Sequence, residues 1–160
     1  MKKFYHVMLW PALAIVLLDQ ISKWIVLKWI GPQESIPVIE GMFHLVHVRN
    51  RGMAFGFMNK AHTDLGFYLL TVVSMGAILL LLVWIFKLRD GEHRVTFGLS
   101  IILGGAAGNL IDRIRFHEVI DFLDFFWGPY HWPAFNIADS AITVGAFLVA
   151  FCLLVKHKEA

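Results

Sequence analysis

Between Leu65 and Phe86 the chain carries no charged residue, and the run closes on Lys87 and Arg89. A helix needs about 20 consecutive apolar residues to cross the hydrocarbon core of a bilayer, because each residue adds only about 1.5 Å along its axis. Lipid offers no partner to a backbone N–H or C=O, so an isolated run of this kind can span only as a helix. Three further stretches have the same reach, at about 7–30, 95–113 and 137–155, while the first is taken as 65–88. The charged fraction is 16%, well below the roughly 25% of soluble domains. The sequence therefore predicts an all-α membrane protein, one domain over 1–160 with four transmembrane helices and outer loops at 31–64 and 114–136.

The connections are uneven. Lys2 and Lys3 precede an apolar stretch of signal-peptide length, but apolar character resumes after Asp19, Gln20 and Lys23 as WIVLKWI, and no small-x-small cleavage site follows. A spanning helix is the better reading. The loop at 31–64 holds the breakers Pro32, Pro37 and Gly41 around two strand-like runs, SIPVI and MFHLVHV. These predict a small β-rich extracytoplasmic element in the first outer loop. Its end, NRGMAFGF, carries Asn50 with Gly52, Ala54 and Gly56, which fits either a plain hairpin end or a turn where backbone approaches something closely. His44 and His47 are three apart, so strand spacing points them to opposite faces and argues against a shared metal. Phe116 to Phe135 is broken by Gly128, Pro129 and Pro133, and its aromatic residues suit the headgroup region. Cys152 is the only cysteine, inside an apolar run, and reads as a small buried hydrophobe.

Against this background the stretch from Gly104 to Ala141 is dense in polar groups: Asn109, Asp112, Arg113, Asp121, Asp124, Asn136 and Asp139. A charge at the bilayer centre costs about 2.5–3.5 kcal/mol, so such residues mark a functional site by default. Each also has a structural explanation. Asp19 and Lys23 can pair across one helical turn, and Asn109, Asp112 and Arg113 share a face that can glue helices together. Gly104 and Gly108 have the small-xxx-small spacing of close helix contact. Asn136 is placed to cap the last helix, with Asp139 in its first turn. Convergence favours function. Four spans put both termini on one side, with seven Lys and Arg in short segments against six on the other side in long ones. The positive-inside rule then makes the termini cytoplasmic and places residues from every outer element toward the outer leaflet.

No HExxH or GxSxG occurs, and Cys152 is remote from the cluster. Two neighbouring carboxylates can divide the labour of acid and base, one protonated and one charged. Asp121 and Asp139 are the expected pair, with the charge on Asp139 because a helix N-terminus favours an anion. Two other classes compete. Intramembrane Asp, Lys and Arg also line ion pathways, although here they leave one half of the spans apolar. A non-catalytic assembly protein would need only the GxxxG spacing and the aromatic belt. Nucleic acid is no partner, since no basic stripe lies on a polar surface.

Five blocks in order carry a family likeness: Asp19, Gln20 and Lys23 as DQxxK; Asn50, Gly52, Ala54 and Phe55 as NxGxAF; Gly104, Gly105, Gly108, Asn109, Asp112 and Arg113 as GGxxGNxxDR; Val119, Asp121, Phe122 and Asp124 as VxDFxD; and Phe135, Asn136, Ala138 and Asp139 as FNxAD. The chain resembles the bacterial lipoprotein signal peptidases, the type II signal peptidases. The resemblance implies an aspartyl endopeptidase of the bacterial cytoplasmic (inner) membrane, acting on its outer face. Such enzymes cut diacylglyceryl-modified prolipoproteins just before the lipobox cysteine. It implies Asp121 and Asp139 as catalytic, with Asn50, Asn109, Arg113 and Asn136 holding substrate and dyad. Gly52, Asp112, Asp19, Lys23 and Asp124 would be supporting. It also implies no metal or other cofactor, and sensitivity to cyclic peptide antibiotics such as globomycin.

Overall fold

The computed structural model describes residues 2–52, 65–88 and 92–158. Ala54, Phe55 and Gly56 of the expected turn lie outside the described residues, as do Lys60 and Arg89. Four helices are long and apolar enough to cross a membrane: α1 (Lys2–Trp29), α2 (Leu65–Lys87), α3 (His93–Phe116) and α4 (Ile137–Lys158). α1 is continuous through Pro11. α3 reaches Phe116, three residues past the expected end, and stops where His117 takes a left-handed φ of 62° and returns its N–H to the carbonyl of Arg113.

α3 is the axis of the bundle. Its spanning window is 61% buried, whereas that of α2, the most apolar helix, is 6% buried. The two figures follow one rule: in lipid an apolar face needs no cover, so the helix carrying polar groups is the one hidden among the others. Glycines make this possible. A Cβ on Gly104 would lie 2.7 Å from the carbonyl oxygen of Ala12, and one on Gly108 would lie 2.6 Å from Asp19 Oδ2. The stripe thus brings α1 against α3 closely enough for their polar side chains to meet. At the other end Ile85, Val95, Leu99 and Val149 form a cluster that joins α2, α3 and α4, with Cys152 packed beside it.

The β element is larger than the sequence predicts. β1 (Ser35–Ile39) and β2 (Phe43–Asn50) fall on the two expected runs, but the sheet continues through β3 (Val119–Trp127) to β4 (Tyr130–His131), in antiparallel order β1-β2-β3-β4. The second outer loop therefore belongs to the sheet. In β3 the apolar residues fall on both faces, so alternation, the usual mark of a half-buried strand, is lost. Ile120 and Phe122 pack with Val26 and Ile30, which seats the sheet on the end of α1. Gly128, at φ 57°, turns β3 into β4, and Trp127 (87%), Tyr130 (81%) and Trp132 (69%) stand exposed around that turn. His44 meets Ser35, whereas His47 is buried against the carbonyl of Ile30, so the two histidines do go to different partners.

Candidate active site

The site begins at the first turn of α4. Asn136 is wholly buried, and its Oδ1 accepts the backbone N–H of Asp139 at 2.9 Å while its own backbone N–H donates to Asp139 Oδ2 at 3.3 Å. This reciprocal pair satisfies groups that a helix N-terminus otherwise leaves open. It also fixes the Asp139 carboxylate and leaves the Asn136 amide NH2 pointing inward. That amide donates to Asp121 Oδ1 at 2.8 Å, with Asn109 Oδ1 and the carbonyl of Ile120 slightly further off, at 3.2 and 3.3 Å. One asparagine therefore touches both aspartates.

Asp121 reaches this point from β3. It is 2% exposed, and its second oxygen accepts the Asn50 amide from the end of β2 at 2.9 Å. Burial pushes its carboxyl up from 3.8 to about 6; the Asn50 and Asn136 amides oppose the rise, and the nearby Asp139 charge adds to it. Asp139, by contrast, is only partly buried. The two carboxyl groups thus sit in different environments, as an acid and a base require.

A second group of charges lies behind the first. Lys23 Nζ is 2.8 Å from both Asp19 Oδ2 and Asp112 Oδ2, with all three side chains almost fully buried. It also donates to Asn109 Oδ1 at 3.0 Å, and the Asn109 amide in turn donates to Asp139 Oδ1 at 2.8 Å. Each rear carboxylate holds backbone next to a front one: Asp19 accepts the N–H of Ala138, and Asp112 the N–H of Ile120. An unpaired buried charge is strongly unfavourable, so the triad favours one arrangement and through these bonds fixes the first turn of α4 and the start of β3.

A family model described as signal peptidase (SPase) II matches residues 11–155. The chain belongs to the signal peptidase II family. It is 46% identical over 160 residues to a lipoprotein signal peptidase of Geobacter sulfurreducens, covering 99% of this chain and 98% of that one. The corresponding protein of Nitratidesulfovibrio vulgaris is 46% identical over 147 residues, 90% of this chain and 87% of its own. A solved bacterial membrane enzyme superposes with a TM-score of 0.79 at 28% identity, over 93% of this chain and 88% of that chain. A second gives 0.75 at 30% identity, over 90% of each. The protein is thus a member of a membrane protease family.

In this signal peptidase II relative the expected site residues divide into groups. Asn50, Asn109, Asn136, Asp121 and Asp139 form one hydrogen-bonded network, and Asp19, Lys23 and Asp112 the layer behind it. Arg113 donates to the carbonyl of Asn109 at 3.2 Å, within electrostatic reach of Asp139, Asp112 and Asp121. Gly52, at φ 83°, gives its N–H to Asn50 Oδ1 at 2.7 Å and so orients the Asn50 amide. Asp124 stands apart, facing His131 across the β3–β4 turn at 2.9 Å. Gln20, named only within a motif, bonds Asp112 at 2.9 Å and ties α1 to α3. Glu118, which nothing in the sequence singled out, grips Arg49 and Arg51. Among the described residues no three His, Cys, Asp or Glu side chains gather in a metal-holding group.

Proposed function

We propose that the protein is an aspartyl endopeptidase that removes the signal peptide from diacylglyceryl-modified prolipoproteins, cutting before the lipobox cysteine, with Asp121 and Asp139 as its catalytic pair. The observation that carries this reading is the double contact of Asn136, whose amide meets Asp121 Oδ1 at 2.8 Å and whose backbone meets Asp139 Oδ2. In this reading Asp121 holds the shared proton, because burial raises its pKa, and Asp139 holds the charge at the N-terminus of α4. Asp139 takes a proton from water as the water oxygen adds to the scissile carbonyl. Asp121 supplies its proton toward the carbonyl oxygen. As the C–N bond breaks, Asp139 passes its proton to the departing amine and one hydroxyl of the tetrahedral intermediate returns a proton to Asp121, so the pair again holds one proton and one negative charge, with Asp139 ionised.

Asn50, Asn109 and Arg113 supply donors around the pair and hold the substrate backbone. The enzyme sits in the cytoplasmic (inner) membrane with both termini cytoplasmic and the site toward the outer face, a placement supported by the charge density of the connections. A lipid-bearing substrate suits it, since the acyl chains stay in the bilayer while the scissile bond meets water at the sheet. Cyclic peptides such as globomycin would inhibit by occupying the same place.

The test is cleavage in detergent of one prolipoprotein prepared with and without its diacylglyceryl group, the products being weighed by mass spectrometry. The expected result is a cut before the lipobox cysteine in the modified substrate and at least roughly tenfold slower cleavage of the unmodified one. Equal cleavage of both, or a cut elsewhere, refutes the assigned substrate.

A further inference from the structure

β2 ends in an arrangement that the reaction as described does not use. Side chains alternate along an extended strand, so Arg49 and Arg51 share one face and Asn50, between them, takes the other. On the first face a single carboxylate serves both arginines. Glu118 Oε1 accepts from Arg49 Nη1 at 2.9 Å and Oε2 from Arg51 Nε at 3.2 Å. Glu118 is itself buried, while the Arg51 side chain is 72% exposed. Burial pushes the Glu118 carboxyl up, but its hydrogen bonds to the two guanidinium groups outweigh that and hold it below the usual glutamate range. The same bonds favour its charged form.

Glu118 is also well anchored, lying between the left-handed residue His117 that ends α3 and the first residue of β3. On the opposite face Asn50 pairs in register with Val119 and reaches diagonally to Asp121, two residues further along β3. The Gly52 N–H donates to the side-chain Oδ1 of Asn50, so the NH2 end is the one turned to Asp121.

We propose that Glu118 is a positioning residue: by gripping the two arginines that flank Asn50, it holds the Asn50 amide on Asp121. The inference rests on the reading of Asp121 and Asp139 as the catalytic pair. Its signature is electrostatic. A hydrogen bond to a carboxylate favours the charged form, so a loosened Asn50 makes Asp121 harder to ionise. The high-pH limb of the activity profile, where the pair loses its shared proton, then moves upward. Glu118 acting only as a structural prop would change the amount of active enzyme at every pH and leave the limb in place.

The experiment measures kcat and KM on a diacylglyceryl-modified prolipoprotein from about pH 4 to 9, for the parent, Glu118→Gln, Arg51→Gln and Asn50→Ala, and for Glu118→Gln combined with Asn50→Ala. Glu118→Gln is expected to lower kcat about tenfold, leave KM within about twofold and raise the high-pH limb by roughly half a unit. In the Asn50→Ala background the same change is expected to cost less than about twofold, because its target is gone. A limb that stays in place, or an equal loss in both backgrounds, overturns the inference alone. Should Glu118→Gln not fold, Arg51→Gln decides, since it changes an exposed side chain; an upward shift supports the inference and an unmoved limb overturns it. A parent profile with no ionisation in this range overturns the catalytic pair, and the inference with it.

Discussion

Three asparagines do most of the work of bringing two aspartates together. Asn136 and Asn109 carry hydrogen bonds from the buried lysine through to Asp139, and Asn50 and Asn136 close on Asp121 from two sides. Amides suit this place, because each offers donors and an acceptor without adding charge to a site that already holds four carboxylates. Asp121 bears the cost of burial. Its carboxyl is pushed from 3.8 to about 6, so the native state binds that proton more tightly than the unfolded chain does. The stabilising contribution is complete below about pH 4 and is lost as pH rises through about 6. Asp121→Asn removes this dependence. In detergent, the stability of Asp121→Asn relative to the parent is expected to rise by about 2–3 kcal/mol between pH 4 and 7. A difference that stays constant across that range, in paired denaturation curves, contradicts the raised pKa.

Among the elements, α3 and its glycines decide whether the site forms at all. A Cβ at Gly108 would lie 2.6 Å from Asp19 Oδ2, so that carboxylate must retreat and Ala138 loses its partner. Gly108→Ala is expected to destabilise by about 1–3 kcal/mol and to lower cleavage at all pH values, whereas Gly76→Ala, with nothing within 4 Å, leaves both unchanged. Equal effects at the two positions would show that the stripe is merely tolerant backbone. The helices and this stripe were legible because a charge-free run and a four-residue spacing are local signals. So was Asn136 as the cap of α4 with Asp139 in its first turn, though not the bond by which Asp139 accepts the Asn136 N–H. β3 was not: Phe125, Phe126 and Trp127 follow one another without alternation, and the paired strand is about 70 residues away in the chain. Glu118 was hidden for the same reason, since its meaning lies in Arg49 and Arg51, which only the sheet brings near. Asp124 shows the converse, a motif residue whose neighbour His131 keeps it on its own hairpin.

At the scale of the molecule, the polar residues gather at one end of a bundle whose other end is the apolar cluster of Ile85, Val95, Leu99 and Val149. An ion pathway would need polar steps on across that cluster, and the buried hydroxyls described beside it, on Thr96 and Ser100, are spent on carbonyls one turn back along the chain. The division fits a hydrolase that keeps lipid around its helices and opens only its sheet side to water. The proposed mechanism requires Asp121 and Asp139 to act as one unit. The direct measurement is turnover of a diacylglyceryl-modified prolipoprotein in detergent by the parent, Asp121→Asn, Asp139→Asn and the double variant, each checked for intact fold by its melting curve. A shared-proton pair requires that each single change abolish cleavage by several orders of magnitude and that the double change cost little more than either alone. A folded single variant that keeps most of the parent's turnover would contradict it.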